Sequence, residues 1–392
     1  MKAGKFRFLF NLSGGRRFVA AVGNCGPVVP PASPRSRRSA AIHRRSLLEN
    51  RRRPQGWYGR APGRLATTIL AAAFVLSSAL HAKEDKERAW KNPPPGYNFD
   101  PTTLKPLTAG GLYRGKYEMG LYPGGVNEMP EAHRKAGERL AATIRPLDTN
   151  GRPNDASGRI LVVSLGHSNA DYYFGALEED LKKRASDLHP RFEFINCAVA
   201  GTGLGENEKG KDNWDPDSPD ARGWNKLRQL KHRSGYSLQQ VQVLFVLQTF
   251  HHAKYKELPP LSFPKDPQEI QPRMTKMLED TKKMCPNLKI ACLVSEHMRH
   301  FSGVEPHIYE EAFAVKWLIE KQIKGEPAMS YEGNGSKMPW LCWGPYLWDG
   351  AWDESYFLDG THAAPKARAI FVEKFWKQLS QDSVARPWFL RM

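Results

Sequence analysis

A serine follows an apolar run in the stretch Leu161-Val162-Val163-Ser164-Leu165-Gly166-His167-Ser168-Asn169. The run predicts a short buried strand, and the residues after it predict a tight turn into a helix. A serine at such a turn exposes its hydroxyl at the carboxyl edge of a parallel sheet, which suits a nucleophile. The alternative is that Ser168 caps a helix starting near Ala170, because serine is a favoured N-cap residue.

An aspartate and a histidine far along the chain could complete such a site. Asp359 and His362 are three residues apart on a predicted turn before a helix that begins near Pro365. The carboxylate could then orient the imidazole while the other ring nitrogen faces a serine. Alternatively, Asp359 or Thr361 caps the helix and His362 is simply exposed. With Ser168, the pair supplies the groups that nucleophilic acyl transfer needs.

Strands and helices alternate from Arg159 onward and would hold these groups. Such alternation implies parallel pairing with right-handed crossovers, so we expect an open sheet with helices on both sides. Functional groups then gather at the carboxyl ends of strands, where the glycine turn Gly201-Thr202-Gly203 also lies. The predicted strands are Ile160–Leu165, Phe192–Val199, Val241–Leu247 and Leu288–Ser295; the predicted helices are Pro130–Ile144, Ala170–Asp187, Asp266–Met284, Pro306–Ile323 and Lys366–Leu379; and Met338–Asp353 is predicted to be a long loop or a short strand.

The motifs resemble those of the SGNH (GDSL-like) hydrolase superfamily over roughly residues 158–380. The resemblance rests on Gly166-x-Ser168-Asn169, on a glycine after the second strand and on Asp359-Gly360-Thr361-His362. Gly-x-Ser-Asn is most similar to the sialate O-acetylesterase and acetylxylan esterase branch. The stretches Gly120–Gly125 and Trp343–Trp348 are similar to those of uncharacterised exported bacterial SGNH-like proteins.

This resemblance implies an α/β fold, a flavodoxin-like three-layer α/β/α sandwich with a central parallel sheet. Ser168 would be the nucleophile, His362 the general base and Asp359 the residue that orients it. The oxyanion donors would be the backbone N–H groups of Ser168 and of Gly201 or Gly203.

The sequence departs from the superfamily at its third block, Gly-x-Asn-Asp after the central strand. The corresponding stretch, Leu247-Gln248-Thr249-Phe250-His251-His252, contains neither Gly nor Asn. Gln248 or His251 could supply a side-chain donor instead, since a missing oxyanion donor typically costs about 3 kcal/mol in the transition state. The departure keeps open a catalytically weak or inactive SGNH-like protein that binds carbohydrate or a partner.

Aromatic residues are concentrated between Trp340 and Trp352. Flat aromatic faces at a cleft mouth suit the C–H surfaces of sugar rings, so Trp343, Tyr346 and Trp348 are candidate substrate-binding residues. Several of these rings could equally form a buried cluster.

The positive charge is concentrated in one segment. Of the net +17, residues 1–64 contribute +14, so residues 65–392 carry only +3 and no nucleic-acid surface is implied. We expect residues 1–64 to be a disordered basic extension and residues 65–82 to be a signal peptide. The uncharged segment Leu65–Leu80 follows Arg60 and Arg64 and is shorter than the roughly 20 residues of a membrane span.

The rest of the chain is expected to form an irregular lead-in with one helix, residues 83–157, and an SGNH hydrolase-like domain, residues 158–392. Export would permit disulfides, whose pairing the sequence leaves open. No CxxC motif and no Cys/His cluster with zinc-ligand spacing occurs, so we expect no metal and no other cofactor. The cysteines concerned are Cys197, Cys285, Cys292 and Cys342.

The leading prediction is an exported serine esterase, periplasmic or secreted, with no stable membrane span after cleavage. It would remove acyl groups, most simply acetyl, from carbohydrate or another small ester by a Ser-His-Asp mechanism. A lipase-like activity is a weaker alternative, because it needs an apolar acyl channel that the polar insertion at residues 206–238 does not suggest.

Overall fold

A parallel sheet lies at the centre of the computed structural model, which describes residues 104–207, 209–250, 263–296, 306–348, 354–359 and 361–392. The predicted basic extension and signal peptide lie outside these residues. A short antiparallel hairpin precedes the sheet, made of β1 (Leu112–Tyr113) and β2 (Tyr117–Glu118). The sheet strands are β3 (Ile160–Gly166), β4 (Phe192–Asn196), β5 (Val241–Leu247), β6 (Ile290–Ser295) and β7 (Trp340–Tyr346).

The five sheet strands are all parallel and lie in the order β4-β3-β5-β6-β7. Relative to the first sheet strand this is the 2-1-3-4-5 order of flavodoxin-like folds. The chain therefore reverses its direction of travel across the sheet next to β3, which is where such folds place their ligands. The predicted fold class, an α/β sandwich with a central parallel sheet, is confirmed.

Helices cover both faces of this sheet. The α-helices are α1 (Glu131–Ala141), α2 (Ser168–Lys183), α3 (Asn225–Gln229), α4 (Lys265–Met284), α5 (His307–Ile323), α6 (Pro365–Gln381) and α7 (Arg386–Phe389). Single 3-10 turns lie at Leu107–Ala109, Arg222–Trp224, Leu230–His232, Leu238–Gln240, Pro327–Met329 and Glu354–Tyr356. None of the helices in the described part of the chain has both the length and the apolar character needed to cross a membrane.

Two hydrophobic cores separate the three layers. Along β3, Leu161 and Val163 face the core shared with α4 and α5, whereas Ile160 and Val162 face the core shared with α1, α2, α6 and α7. This alternation follows from the two-residue period of a strand. Because both faces are covered, β3, β5 and β6 are buried along their whole length and mostly apolar instead of alternating with polar residues.

The strand β7 occupies a stretch for which the sequence left loop or strand open. It pairs in parallel with β6, with Cys292 opposite Cys342, and forms one edge of the sheet. Pro345 lacks a backbone N–H, which an edge position tolerates because one side of the strand has no partner to bond. The four cysteines in the described residues are buried free thiols.

The lead-in before β3 is anchored to α5 by a buried lysine. The Lys316 ammonium lies 3.2 Å from Glu118 Oε1 and donates to Tyr122 O at 3.1 Å. Tyr122 and Val126 close the Pro-Gly turn between them as an isolated bridge. The stretch Gly120–Gly125 is thus a structural turn on the α5 side of the molecule.

Gly166 ends β3 at a point where no side chain fits. Its φ is +151°, and a Cβ there would lie 2.1 Å from Leu247 O and 2.5 Å from Ala170 Cβ. The glycine therefore allows β3 to turn into α2 in close contact with β5.

We predict that Gly166→Ala lowers the free energy of unfolding by more than about 2 kcal/mol, because backbone strain and overpacking add. Gly175→Ala is the matched control, since Gly175 lies inside α2 and its Cβ would meet only an ordinary contact, Asn196 Nδ2 at 3.6 Å. The control should be neutral or stabilising, because alanine is the better helix former. Equal denaturation midpoints for the two variants would contradict the steric assignment.

Candidate active site

Ser168, His362 and Asp359 form a hydrogen-bonded chain at the carboxyl edge of the sheet. His362 Nε2 lies 3.0 Å from Ser168 Oγ, and His362 Nδ1 lies 2.8 Å from Asp359 Oδ2. The contact between Ser168 and His362 joins residues 194 positions apart in the sequence. Three groups in this order can act as a nucleophile, a general base and a carboxylate that orients the base.

Asp359 fixes the tautomer of His362. Its other carboxylate oxygen, Oδ1, accepts the backbone N–H groups of Thr361 at 3.1 Å and His362 at 2.9 Å. Partial burial alone would raise the pKa of Asp359, but the hydrogen bonds and the charge interaction with His362 outweigh it and lower this pKa. An ionised Asp359 accepts the Nδ1 proton, so that Nε2 presents its lone pair to the serine hydroxyl.

Ser168 is the first residue of α2 and does not cap it. The N-cap is His167, whose Nδ1 accepts the backbone N–H of Asn169 at 3.3 Å. The first N–H groups of a helix have no partner within the helix and lie at the positive end of its dipole. Ser168 therefore combines a hydroxyl bonded to His362 with a backbone N–H that helical bonding does not use.

The glycine turn after β4 lies against the end of β3. Val199 N–H donates to Gly166 O at 3.0 Å, and the Thr202 hydroxyl lies 3.3 Å from the same oxygen. Gly201, at the surface of this turn, has a φ of +72°, and its carbonyl accepts Arg222 Nη2 at 3.0 Å. Gly203 follows in the buried part of the turn. The turn is thus bonded to the carbonyl of Gly166, which is two residues before Ser168 in the chain.

Gln248, at the end of β5, is fully buried. Its side-chain Nε2 donates to Thr202 O at 2.9 Å, and its Oε1 accepts the backbone N–H of Thr249 at 3.0 Å. In this structure the amide therefore supports the glycine turn. His251, the other candidate side-chain donor, lies outside the described residues.

The aromatic candidates of β7 and the residues after it lie in the core. Trp343 and Trp348 are each 3% exposed, and Trp343 Nε1 donates to Leu121 O at 2.7 Å. Tyr346 is half-buried, and its hydroxyl accepts the backbone N–H of Leu107 at 2.9 Å. Trp343 and Trp348 thus belong to the buried cluster that the sequence left open as the alternative, and Tyr346 packs against it.

A different aromatic residue borders the candidate triad. The Tyr172 ring lies 5.5 Å from the His362 ring, between centroids, and is 36% exposed. The Arg368 guanidinium lies 4.7 Å from the centroid of the Tyr172 ring. Sequence reasoning missed Tyr172, although its position four residues after Ser168, on the same helix face, could have identified it.

Sequence reasoning also missed a buried carboxylate, that of Glu296, which contacts the residues on either side of Ser168. Glu296 directly follows β6 and is 4% exposed, with Oε1 2.8 Å from His167 Nε2. Its position at the carboxyl end of a sheet strand is the signal that could have found it. The described residues contain no group of three or more His, Cys, Asp or Glu side chains arranged to hold a metal ion.

Comparison with known proteins gives little beyond this geometry. No protein-family model matches the chain, and no curated protein matches it. Among solved structures the chain is similar to an acetyl xylan esterase, AlAXEase, with 13% identity and a TM-score of 0.31, covering 56% of this chain and 98% of that one. A second crystal structure gives 10% identity and a TM-score of 0.33, covering 57% and 96%. Scores this low decide neither family nor activity.

The lowered pKa of Asp359 gives a prediction for titration. In carbon-detected NMR the Asp359 carboxyl should titrate below the ordinary aspartate value of 3.8. Stability from the ionised carboxylate is therefore present above that value and is lost as the pH falls through the lower pKa of the folded state.

In His362→Ala the pKa of Asp359 should rise toward 3.8, because the ring hydrogen bond is lost while the backbone donors remain. Asp382 is the internal reference. Burial raises its pKa, and its donors are the backbone N–H groups of Val384 and Ala385, so this pKa should not move. An unchanged Asp359 titration in the variant would contradict the role of the ring.

Proposed function

We propose that this protein is a serine esterase that removes acyl groups, most simply acetyl, from carbohydrate. The observation that carries the proposal is the chain of two hydrogen bonds, Ser168 Oγ to His362 Nε2 and His362 Nδ1 to Asp359 Oδ2. Nucleophilic acyl transfer requires this order of groups. Membership of the SGNH superfamily is part of the same proposal and rests on the motifs around these residues.

The first half of the reaction forms an acyl-enzyme. Ser168 Oγ attacks the ester carbonyl carbon while His362 Nε2 takes the hydroxyl proton, and Asp359 stabilises the imidazolium that results. The tetrahedral intermediate then collapses. The bond to the sugar oxygen breaks, and His362 returns the proton to that oxygen, so the alcohol leaves neutral.

The second half repeats these steps with water. His362 Nε2 takes a proton from a water molecule as the water oxygen attacks the acyl carbon. Collapse of the second intermediate breaks the bond to Ser168 Oγ and returns the proton to it. The products are the free carboxylic acid and the original serine.

Backbone N–H groups are the proposed oxyanion donors. Ser168 N–H belongs to the first turn of α2, where the helix dipole favours negative charge. The second donor is assigned to Gly201 or Gly203, whose turn bonds to the end of β3 through Gly166 O. Gln248 acts in this proposal by holding the turn through Thr202 O.

Tyr172 is the proposed sugar-binding surface. It is exposed, borders His362 and carries the Arg368 guanidinium over its ring, so the free part of its face can stack on a pyranose. It takes the place of Trp343, Tyr346 and Trp348, whose rings lie in the core. Export to the periplasm or medium remains part of the proposal and rests on the predicted signal peptide at residues 65–82.

The nucleophile is tested with the full chain, an active-serine fluorophosphonate probe and 4-nitrophenyl acetate. Wild type should label and turn over, whereas Ser168→Ala should not label and should lose activity on the order of 10⁴-fold or more. Ser186→Ala, at an exposed serine just after α2, is the control and should match wild type. Wild type that neither labels nor hydrolyses acetylated sugars, yet binds a glycan as tightly as Ser168→Ala does, would favour the non-catalytic alternative.

The sugar platform is tested by comparing two substrates. Tyr172→Ala should raise KM for an acetylated oligosaccharide about 3- to 10-fold, as expected for the loss of one stacking contact. It should leave KM for 4-nitrophenyl acetate within about twofold, because this small ester does not need the sugar contact. Tyr172→Phe keeps the ring and should behave like wild type, and equal effects of Tyr172→Ala on both substrates would remove Tyr172 from the sugar site.

A further inference from the structure

We infer that Asn169 is a positioning residue that clamps the loop carrying His362 and is itself held by the buried carboxylate of Glu296. The inference rests on the proposed function, because the distance that the clamp controls is the one between His362 Nε2 and Ser168 Oγ. Asn169 does not touch these two atoms. It acts through the backbone on either side of His362.

The side chain of Asn169 is buried, 1% exposed, and its amide makes three hydrogen bonds. Its Nδ2 donates to Glu296 Oε2 at 2.8 Å and to Thr361 O at 3.0 Å. Its Oδ1 accepts the backbone N–H of Ala363 at 3.0 Å. A reversed amide would put oxygen against two acceptors and nitrogen against a donor, so the network fixes its orientation.

The two backbone contacts flank the candidate base. Thr361 O and Ala363 N belong to the residues immediately before and after His362. Both are bound to Asn169, which directly follows Ser168 in the chain. One side chain therefore sets the position of the imidazole relative to the serine hydroxyl. It connects the residue next to Ser168 directly to the backbone on both sides of His362. Asp359 sets the rotation of the ring, while Asn169 sets where its backbone lies.

Glu296 and His167 hold Asn169 in turn. His167 Nδ1 accepts the Asn169 backbone N–H at 3.3 Å, and His167 Nε2 lies 2.8 Å from Glu296 Oε1. Glu296 Oε2 thus accepts a hydrogen bond from Asn169, while Oε1 lies in close contact with His167. The contacts join the carboxyl ends of β3 and β6 to the loop before α6.

The cost of burying this network argues that it does more than fill space. A carboxylate taken out of water is unfavourable unless donors satisfy it, and well-packed apolar residues often stabilise a fold as well or better. Apolar residues could fill the volume, but they could not bind the carbonyl of Thr361 and the N–H of Ala363. We therefore assign the network to orientation of the His362 loop.

The chain contains a matched control for the removal of such an amide. Gln322 Nε2 donates to Met329 O and Pro339 O, both at 3.0 Å, and its Oε1 accepts Leu341 N–H at 2.6 Å. This buried side chain has the same three-bond pattern as Asn169, but it belongs to α5 and binds the start of β7, at the amino ends of the sheet strands. Gln322→Ala should lose comparable stability without losing rate per folded molecule.

The test measures turnover, probe labelling and amide exchange on the full chain. For Asn169→Ala we expect kcat for 4-nitrophenyl acetate to fall about 100-fold with KM within about threefold, as expected for a base displaced by roughly an ångström. Labelling of Ser168 by the fluorophosphonate probe should slow in parallel. The amide hydrogen of Ala363 should exchange faster in Asn169→Ala but not in Gln322→Ala.

A polarity swap tests the contact between Asn169 and Glu296. Asn169→Asp alone puts a carboxylate oxygen against Glu296 Oε2 and Thr361 O, so kcat should fall at least as far as in Asn169→Ala. Adding Glu296→Gln lets the new amide donate to the new carboxylate, although that carboxylate still faces Thr361 O. The double variant should therefore recover about tenfold in kcat, which a merely structural role would not produce.

The outcomes separate this inference from the proposed function. Folded Asn169→Ala with kcat within threefold of wild type and unchanged exchange at Ala363 would overturn the clamp. Wild type that neither labels nor turns over would overturn the esterase proposal instead, and exchange at Ala363 would then decide the clamp alone. If Asn169→Ala does not fold, Glu296→Leu decides, because leucine cannot accept from Asn169 Nδ2: a tenfold or greater drop in kcat supports the clamp, and an unchanged kcat overturns it.

Discussion

The candidate site depends on one steric constraint, the lack of room for a side chain at Gly166. Strand β3 lies between β4 and β5 and turns into α2 directly against Leu247 O and Ala170. Because only glycine fits there, the turn is tight and Ser168 becomes the first residue of the helix. One local unit, strand, turn and helix, therefore presents a hydroxyl and a helix N-terminus at the same point on the sheet edge. The glycine turn after β4 bonds to Gly166 itself, so this constraint also anchors the other proposed oxyanion donors.

His362 is 194 residues after Ser168, and polar contacts hold the two residues together. Asp359 binds the ring and two backbone N–H groups of its own turn, while Asn169 binds the backbone before and after His362. The network behind Asn169 buries a carboxylate that the hydrophobic cores do not need. Its desolvation is unfavourable, and the hydrogen bond from Asn169, just after the end of β3, helps to offset it. Polar contacts thus determine the geometry of the site, whereas apolar packing stabilises the two cores. The end of β3 takes part in both kinds of interaction.

Much of the fold could be predicted because its signals are local. The predicted strand Val241–Leu247 has the observed bounds, and the strands beginning at Ile160 and Phe192 differ from prediction only at their ends. β7 was harder to predict, because Gly344 and Pro345 interrupt its pattern and are tolerated only at the edge of the sheet. The aromatic residues around β7 could be stacking surfaces or core on sequence grounds, since composition does not reveal which face of an element is covered.

By itself the sequence determined the alternation of strands and helices, the parallel sheet and the two motifs that hold Ser168, Asp359 and His362. These follow from periodicity and turn chemistry among neighbouring residues. Only the tertiary structure decided that His167 caps α2 and that Gln248 supports the glycine turn. It also decided that Tyr172 borders His362 and that Glu296 contacts His167 and Asn169. Each of these depends on contacts between segments that the sheet brings together from distant parts of the chain, and such contacts leave no periodic signal in the sequence.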